Sequence, residues 1–168
     1  MISTLIPPYF ASENFQTACV LDPNGECIVD NADMLLLSAI FNSFTYDAII
    51  RLKVSSNMNF FFVYSTQVPK KGTFYDSKII YRAARLICTT PEFDDLAREV
   101  GLGSHKKGAT GQVERARLRA ELDGLIAHLY GLTEEEFAYI LTTFPLVPDP
   151  VKVAALNAYR DVERGLIK

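Results

Sequence analysis

The sequence predicts an α+β fold, in which a small, partly antiparallel sheet and a long helix are followed by a helical bundle. Short apolar runs divided by turn residues occupy the first 30 positions, and helical apolar periodicity dominates after position 74. An aromatic run near position 60 has the composition of a strand. The chain of 168 residues, 49% apolar and 22% charged, has the size and balance of a globular domain.

Three short strands are predicted first. Residues 3–6 form an apolar run that Pro7 and Pro8 close. Residues 17–21 and 26–29 flank the turn sequence Asp-Pro-Asn-Gly at 22–25. Such a turn between two apolar runs favours a hairpin, which makes this part of the sheet antiparallel.

A long helix is predicted next, with Asn31 as its cap and a course from about Ala32 to Lys53. Its apolar positions fall on one broad stripe: Leu35, Leu36, Ala39, Ile40, Phe44 and Ala48. The aromatic run from Asn59 to Thr66 then predicts a strand that ends before Pro69.

The remaining chain predicts helices, over about 75–88, 91–99, 112–130, 133–142 and 149–164. Four polar residues are positioned to cap them: Asp76, Thr90, Thr133 and Asp149. Glu136 lies three residues after Thr133, which is the spacing of a capping box. We therefore expect a strand-rich region over 1–72 and a helical region over 73–168, packed as one unit.

The net charge of −3 is unevenly distributed. Residues 1–50 contain six acidic residues and no Lys or Arg, whereas residues 51–119 contain thirteen basic and six acidic residues. Residues 120–168 contain four basic and eight acidic residues. A basic middle between acidic ends favours a localised anion-binding face, unless the three blocks intermix on folding and leave a neutral surface.

Two segments carry a resemblance to a known family. Residues 42–62, NSFTYDAIIRLKVSSNMNFFF, are similar to the pattern LNS-F-x-D … R-x-K-V-S-G … LN-[FY]-F. Residues 118–133, LRAELDGLIAHLYGLT, continue to Phe144-Pro145 and resemble R-x-E-LDA-x-x-x-HLYGL-[ST] … I-x-x-TFP. Both patterns belong to large adenine-specific DNA methyltransferases, the fused restriction and modification enzymes of type IIG and their relatives in phage defence.

The resemblance spans roughly Thr4 to Val147 and implies the C-terminal part of a target-recognition region with its tail. It implies DNA and a methyltransferase catalytic subunit or domain as partners, and a cytoplasmic setting. The catalytic domain lies outside the matched patterns. A surface left by the missing half of the recognition fold is expected to be apolar and could support self-association into a homo-oligomer.

No catalytic residue is predicted, and the chain by itself is not expected to be an enzyme. Residues 5–10, LIPPYF, resemble the amino-methyltransferase motif [DNS]-PP-[YFW], but Ile6 cannot accept a hydrogen bond from a base. No Gly-rich strand-to-helix turn precedes it, so no cofactor is predicted. The PEFDD sequence at 91–95 lacks the Glu-x-Lys of a nuclease, and its acids suit a first helical turn.

The cysteines and histidines are expected to be structural. Cys19, Cys27 and Cys88 are read as thiols in a reducing cytoplasm, and no His lies close enough to a Cys pair for a zinc site, so no metal is predicted. His128 lies on the apolar side of its helix, where a hydrogen bond to a backbone carbonyl is expected. No apolar run approaches the roughly 18 residues that would span a membrane, so no membrane partner is predicted.

The predicted DNA contacts are basic and amide side chains of the middle of the chain. Arg and Lys neutralise phosphates, and Asn can pair with adenine edges. The predicted set comprises Arg51, Lys53, Ser55, Asn57, Asn59, Lys70, Lys71, Lys106, Lys107, Arg115 and Arg119. Asn57 and Asn59 could instead only cap a helix and a turn, and Arg119 could pair with Asp123 or Glu114.

Two functions remain open on the sequence alone. The first is a non-catalytic DNA target-recognition or specificity module of a restriction–modification adenine methyltransferase system. The alternative is a structural protein-interaction module that docks on a methyltransferase domain without contacting DNA, which suits the acidic and apolar-faced second half.

Overall fold

Eight α-helices build the part of the chain described by a computed structural model, which covers residues 24, 29–54 and 60–167. They are α1 (Asn31–Phe41), α2 (Phe44–Arg51), α3 (Phe60–Tyr64), α4 (Asp76–Ile87), α5 (Asp94–Glu99), α6 (Gln112–Leu129), α7 (Glu134–Thr142) and α8 (Asp149–Glu163). Short 3₁₀ turns cover Pro91–Phe93 and His105–Lys107.

The predicted α+β class is wrong for these residues, because no strand occurs among them. The predicted strand from Asn59 to Thr66 contains helix α3 instead. A short, wholly apolar run suits a buried helix as well as a strand, so periodicity cannot separate the two. The predicted strands over 3–6, 17–21 and 26–29 lie outside the described residues, apart from Val29.

The long helix predicted from Ala32 to Lys53 is two helices, α1 and α2, which meet at an angle of 66°. Asp30, rather than Asn31, caps α1 and accepts a hydrogen bond from the Asp33 N–H at 2.6 Å. Ser43 separates the two helices. Its backbone is extended, and its hydroxyl accepts a hydrogen bond from the Tyr46 N–H at 3.1 Å, which caps α2.

Helix α6 is the centre of the packing and contacts α8, α4 and α2, while α1 packs on α4 and α7 packs on α8 and α2. The main core contains fully buried side chains from both predicted regions, among them Leu35, Ile50, Ile79 and Leu125. A second cluster around Phe137 and Tyr159 joins α6, α7 and α8. Removal of these apolar surfaces from water is the main stabilising term.

Close approach of α6 and α8 depends on Gly124. A Cβ atom at this position would lie 2.6 Å from the backbone nitrogen of Tyr159 and 2.7 Å from the carbonyl carbon of Ala158. Glycine therefore lets the two helix backbones touch, and this contact fixes where the N-terminal half of α6 projects.

Candidate nucleic-acid interface

The structure places the predicted DNA contacts in several separate parts of the molecule. Ser55, Asn57 and Asn59 lie outside the described residues. The other eight differ in what their side chains already bind, and this difference decides which of them can meet a phosphate.

Two of the predicted cations are neutralised by carboxylates. Arg51 lies at the end of α2, and its guanidinium donates to Asp47 at 2.7 Å and rests 4.7 Å from the centre of the Phe144 ring. Lys71 contacts Asp30 at 3.3 Å and Asp33 at 2.5 Å, at the N-terminus of α1. The Asp33 carboxylate is the main cause of the raised pKa of Lys71.

Two others are held by backbone carbonyls and keep their charge. Lys53 donates to the carbonyl oxygen of Ser65. Arg115, in α6, donates to the carbonyl oxygens of Leu86 at 2.9 Å and of Ala109 at 2.7 Å. Arg115 therefore ties the start of α6 to the end of α4 and to the preceding loop, which gives it a structural role beside its charge.

Lys70, Lys106, Lys107 and Arg119 are exposed, and their side chains have no carboxylate or hydrogen-bond partner among the described residues. The two acids that the sequence offered as partners for Arg119 both bind other groups. Glu114 pairs with Arg85, and Asp123 accepts the backbone N–H of Phe44.

Lys106 and Lys107 stand on a turn that Asp94 holds in place. One carboxylate oxygen of Asp94 accepts from the His105 N–H at 2.8 Å and from the Ser104 hydroxyl at 3.1 Å, and lies 2.8 Å from His105 Nδ1. The His105 N–H, followed by the His105 ring, lowers the pKa of Asp94 to about 2. The two lysines are thus presented from an anchored turn.

The two lysine pairs lie at opposite ends of α4. Lys70 and Lys71 precede it, whereas the Lys107 carbonyl accepts a hydrogen bond from Arg85 in its last turn at 3.3 Å. The 12 residues of α4 span roughly 18 Å. Lys106, Lys107, Arg115 and Arg119 therefore form one group, here called the basic end of α6, from which Lys70, Lys71, Arg51 and Lys53 are separate.

Sequence reasoning missed a charge network beside this group. Glu121 accepts from the buried Arg82 at 2.6 Å and from the exposed Arg117, and both guanidiniums share its one carboxylate. The spacing of Arg117 and Glu121, four residues apart, signals their pairing, but Arg82 lies 39 residues away from Glu121 and gives no such signal.

Sequence reasoning also missed an open groove of about 1020 Å³ beside α6. Its walls come from the α1–α2 junction, α4, the turn at Phe93, α6 and the first two turns of α8. They combine small side chains, such as Ala83, Ala116 and Ala154, with larger apolar ones, such as Leu86, Ile87 and Leu122. Among the described residues, all four charged residues that line the groove belong to α6: Arg115, Arg117, Arg119 and Asp123.

Asp123 links the groove to the start of α2. Its Oδ1 accepts the Phe44 N–H at 3.0 Å, a donor that α2 cannot satisfy internally because it lies in the first turn. Burial raises the pKa of this carboxyl to about 7, against the opposing effect of the Phe44 N–H.

The other titratable groups have structural surroundings. His128 Nε2 lies 3.0 Å from the Tyr159 carbonyl, which confirms the predicted backbone hydrogen bond, and its ring stacks on Tyr159 at 4.0 Å. Cys88 is buried, and desolvation raises its thiol pKa to about 11. In the described part of the chain, no three His, Cys, Asp or Glu side chains converge as metal ligands would.

Across the residues that the structure describes, no single helix has the length and apolar character required to cross a membrane. Only α1 and α2 taken together reach those limits, and they are bent by 66°.

The search for similar proteins found no protein family, curated protein or solved structure that matches this chain. The predicted assignments to restriction–modification and to DNA binding therefore receive no support from known relatives, and the described fold shows only an arrangement of helices.

Proposed function

We propose that this chain is a non-catalytic DNA-recognition module of a restriction–modification adenine methyltransferase system, and that it contacts DNA phosphates through the basic end of α6. The observation that supports this most is the state of Lys106, Lys107 and Arg119. Their cationic groups are exposed and have no acidic partner among the described residues. The methyltransferase assignment itself rests on the resemblance of residues 42–62 and 118–145.

Unpaired cations matter because phosphate binding is driven by the release of counterions from DNA. Arg51 and Lys71 would first have to give up carboxylate partners, whereas Lys106 and Lys107 would not. Arg115 adds a fixed positive charge between the lysine turn and Arg119, because its guanidinium is held by two carbonyls and not by an acid.

Few phosphate contacts predict weak, sequence-independent binding when the chain acts alone, with a Kd on the order of 10⁻⁴ to 10⁻⁶ M. Methyl transfer is assigned to a partner subunit or domain that carries the catalytic site, and sequence recognition by this chain is expected only when it is assembled with that partner. The isolated chain is accordingly expected to transfer no methyl group to DNA and to cleave none.

Fluorescence anisotropy with a labelled DNA duplex, at about 50 mM and about 200 mM salt, tests this proposal. The double substitution Lys106→Ala with Lys107→Ala should weaken binding at low salt and reduce the salt slope by about two. Lys70→Ala is the matched control, because Lys70 is an equally unpaired lysine at the other end of α4. Absence of binding at low salt by the folded protein, or equal losses in Lys70→Ala, would overturn the proposal.

A second candidate is a protein-interaction module that docks on a methyltransferase domain without touching DNA. The groove beside α6 favours it, because a wide and mainly apolar cleft suits a protein helix better than a charged backbone. Cross-linking of the chain to the methyltransferase domain, with DNA absent, tests this candidate.

A further inference from the structure

We infer that the groove between the α1–α2 junction, α4, α6 and the start of α8 binds an amphipathic α-helix of a partner protein. This helix has acidic residues along one edge and one hydrogen-bond-donating, preferably cationic, side chain on its apolar face. The inference rests on the interaction-module candidate and is independent of DNA contact by Lys106 and Lys107.

The shape of the groove suits a helix. Ala83 of α4, Ala116 of α6 and Ala154 of α8 line it beside larger apolar side chains such as Leu86 and Leu122, so the walls are mainly apolar and leave room between the helices. Small side chains let a helix backbone approach closely, and the volume of about 1020 Å³ is large enough for the buried face of several helical turns.

Asp123 supplies the specific polar contact. One oxygen is used by the Phe44 N–H, and the second has no partner among the described residues. The carboxylate is half-buried in the groove wall, where partial loss of hydration without a full set of donors raises its pKa. A donor on the apolar face of an incoming helix would complete this set, and a cation would also hold the carboxyl in its charged form.

Charge complementarity indicates that one edge of the partner helix is acidic. Arg119 has no acidic partner, and Arg117 shares Glu121 with Arg82. The described lining residues of α1, α2, α4 and α8 carry no charge, so among the described residues Asp123 is the only acid in the groove wall, against three arginines. Carboxylates along one edge of the partner would meet Arg117 and Arg119, at the exposed rim.

The same arrangement disfavours a nucleic acid in the groove. Phosphates could meet the rim arginines, but Asp123 would repel any phosphate brought into the cleft, and the mainly apolar walls offer bases few hydrogen-bonding groups. A partner helix with one donor on its apolar face and acidic residues along one edge would pair with Asp123 and with the rim arginines.

The test uses a fluorescein-labelled helical peptide of about 18 residues, or roughly 27 Å of helix. It has Leu and Ala on one face, a single Lys at the centre of that face and Glu along one edge. Two matched peptides replace the edge Glu by Lys, or the central Lys by Leu. We expect the first peptide to bind the full chain at least about tenfold more tightly than either matched peptide.

Variants then locate the site. Ala116→Trp places a large ring in the groove at an exposed position and should abolish binding, while Val113→Trp, exposed on the same helix outside the groove, should not change it. Asp123→Asn should weaken the Lys peptide about tenfold and leave the Leu peptide unchanged. Arg119→Glu should weaken binding of the acidic peptide, with Arg164→Glu, at the residue that follows α8, as a control. Circular dichroism shows whether each variant is folded.

The outcomes separate this inference from the DNA proposal. It fails if the acidic peptide does not bind the folded chain, or binds Ala116→Trp equally well. It also fails if Ala116→Trp instead abolishes duplex binding, which would make the groove a nucleic-acid site. Loss of a dimer in sedimentation of Ala116→Trp would show that the occupant is a second copy of the chain. Loss of peptide binding with unchanged Lys106- and Lys107-dependent duplex binding would leave the DNA proposal intact.

Discussion

The two halves of α6 serve opposite purposes. The C-terminal half, with Leu125 and Ile126 fully buried, packs against α8 through Gly124. The N-terminal half carries Arg117 and Arg119 on its exposed surface and borders an open groove. One continuous helix thus joins a tightly packed region to a polar surface, so the rigidity of the packed C-terminal half positions the charges of the N-terminal half.

The largest expected effect on stability is found when a Leu side chain is added to each half of α6 in turn. Gly124→Leu would force a branched chain into the α8 backbone, and we expect a loss of about 3 kcal/mol in the free energy of unfolding. Ala116→Leu lies two helical turns earlier, in the open half, and should change stability by less than about 0.5 kcal/mol. Urea unfolding followed by circular dichroism measures both. Similar losses in the two variants would show that the groove is not open.

A smaller effect is expected where the two halves meet, at Glu121. Arg82→Met removes the buried partner of this carboxylate and leaves it with the exposed Arg117, so we expect a loss of about 2 kcal/mol. Arg117→Met removes the exposed partner and should cost less than about 0.5 kcal/mol. Thermal unfolding of both variants checks the ranking, and a larger loss for Arg117→Met would contradict the burial difference between the two pairs.

The smallest effect is a dependence on pH at Asp123. The folded-state pKa of about 7 lies above the usual value of 3.8 for an Asp carboxyl, so between these values the folded chain retains a proton that the unfolded chain loses. The stabilisation from this group is complete below pH 3.8 and is lost as pH rises through 7. Asp123→Asn remains neutral and still accepts from Phe44, so it should match the wild type near pH 4 and be more stable at pH 8. The full pKa difference would correspond to roughly 4 kcal/mol, but Asp123 is half-buried beside an open groove, so solvent screening reduces the expected difference to about 1 kcal/mol.

The measurement is the difference in unfolding free energy between the two proteins from pH 4 to pH 8. Groups other than Asp123 are the same in both proteins and cancel in this difference. A constant difference across the range would show that Asp123 is already ionised at low pH.

The sequence was sufficient for the C-terminal helices. The ranges predicted for α4, α6, α7 and α8 are confirmed within about two residues, a normal uncertainty for helix ends. The predicted capping box is confirmed, because Thr133 accepts the Glu136 N–H and Glu136 accepts the Thr133 N–H. Asp76 and Asp149, predicted as caps, are instead the first residues of their helices. Local signals sufficed here because apolar stripes and caps are properties of neighbouring residues.

Sequence reasoning failed where distant residues decide the structure. The break between α1 and α2 falls at Asn42 and Ser43, inside a continuous apolar pattern, and it is fixed from outside by Asp123. The groove has the same origin, because its walls come from residues between 38 and 154. The lack of an acidic partner for Arg119 could not be predicted from the sequence either, because Glu114 pairs with Arg85 and Asp123 accepts from Phe44 instead.

The hydrogen bond from Phe44 to Asp123 joins residues 79 positions apart, whereas the His128 contact with Tyr159 spans 31. Short sequence separations are closed early in folding, because less chain entropy is lost. We therefore expect α6, α7 and α8 to assemble first and the α1–α2 corner to dock last. Amide exchange would then be slowest at Ile126 and faster at Phe44, so the Phe44 proton would report on how often the groove wall opens.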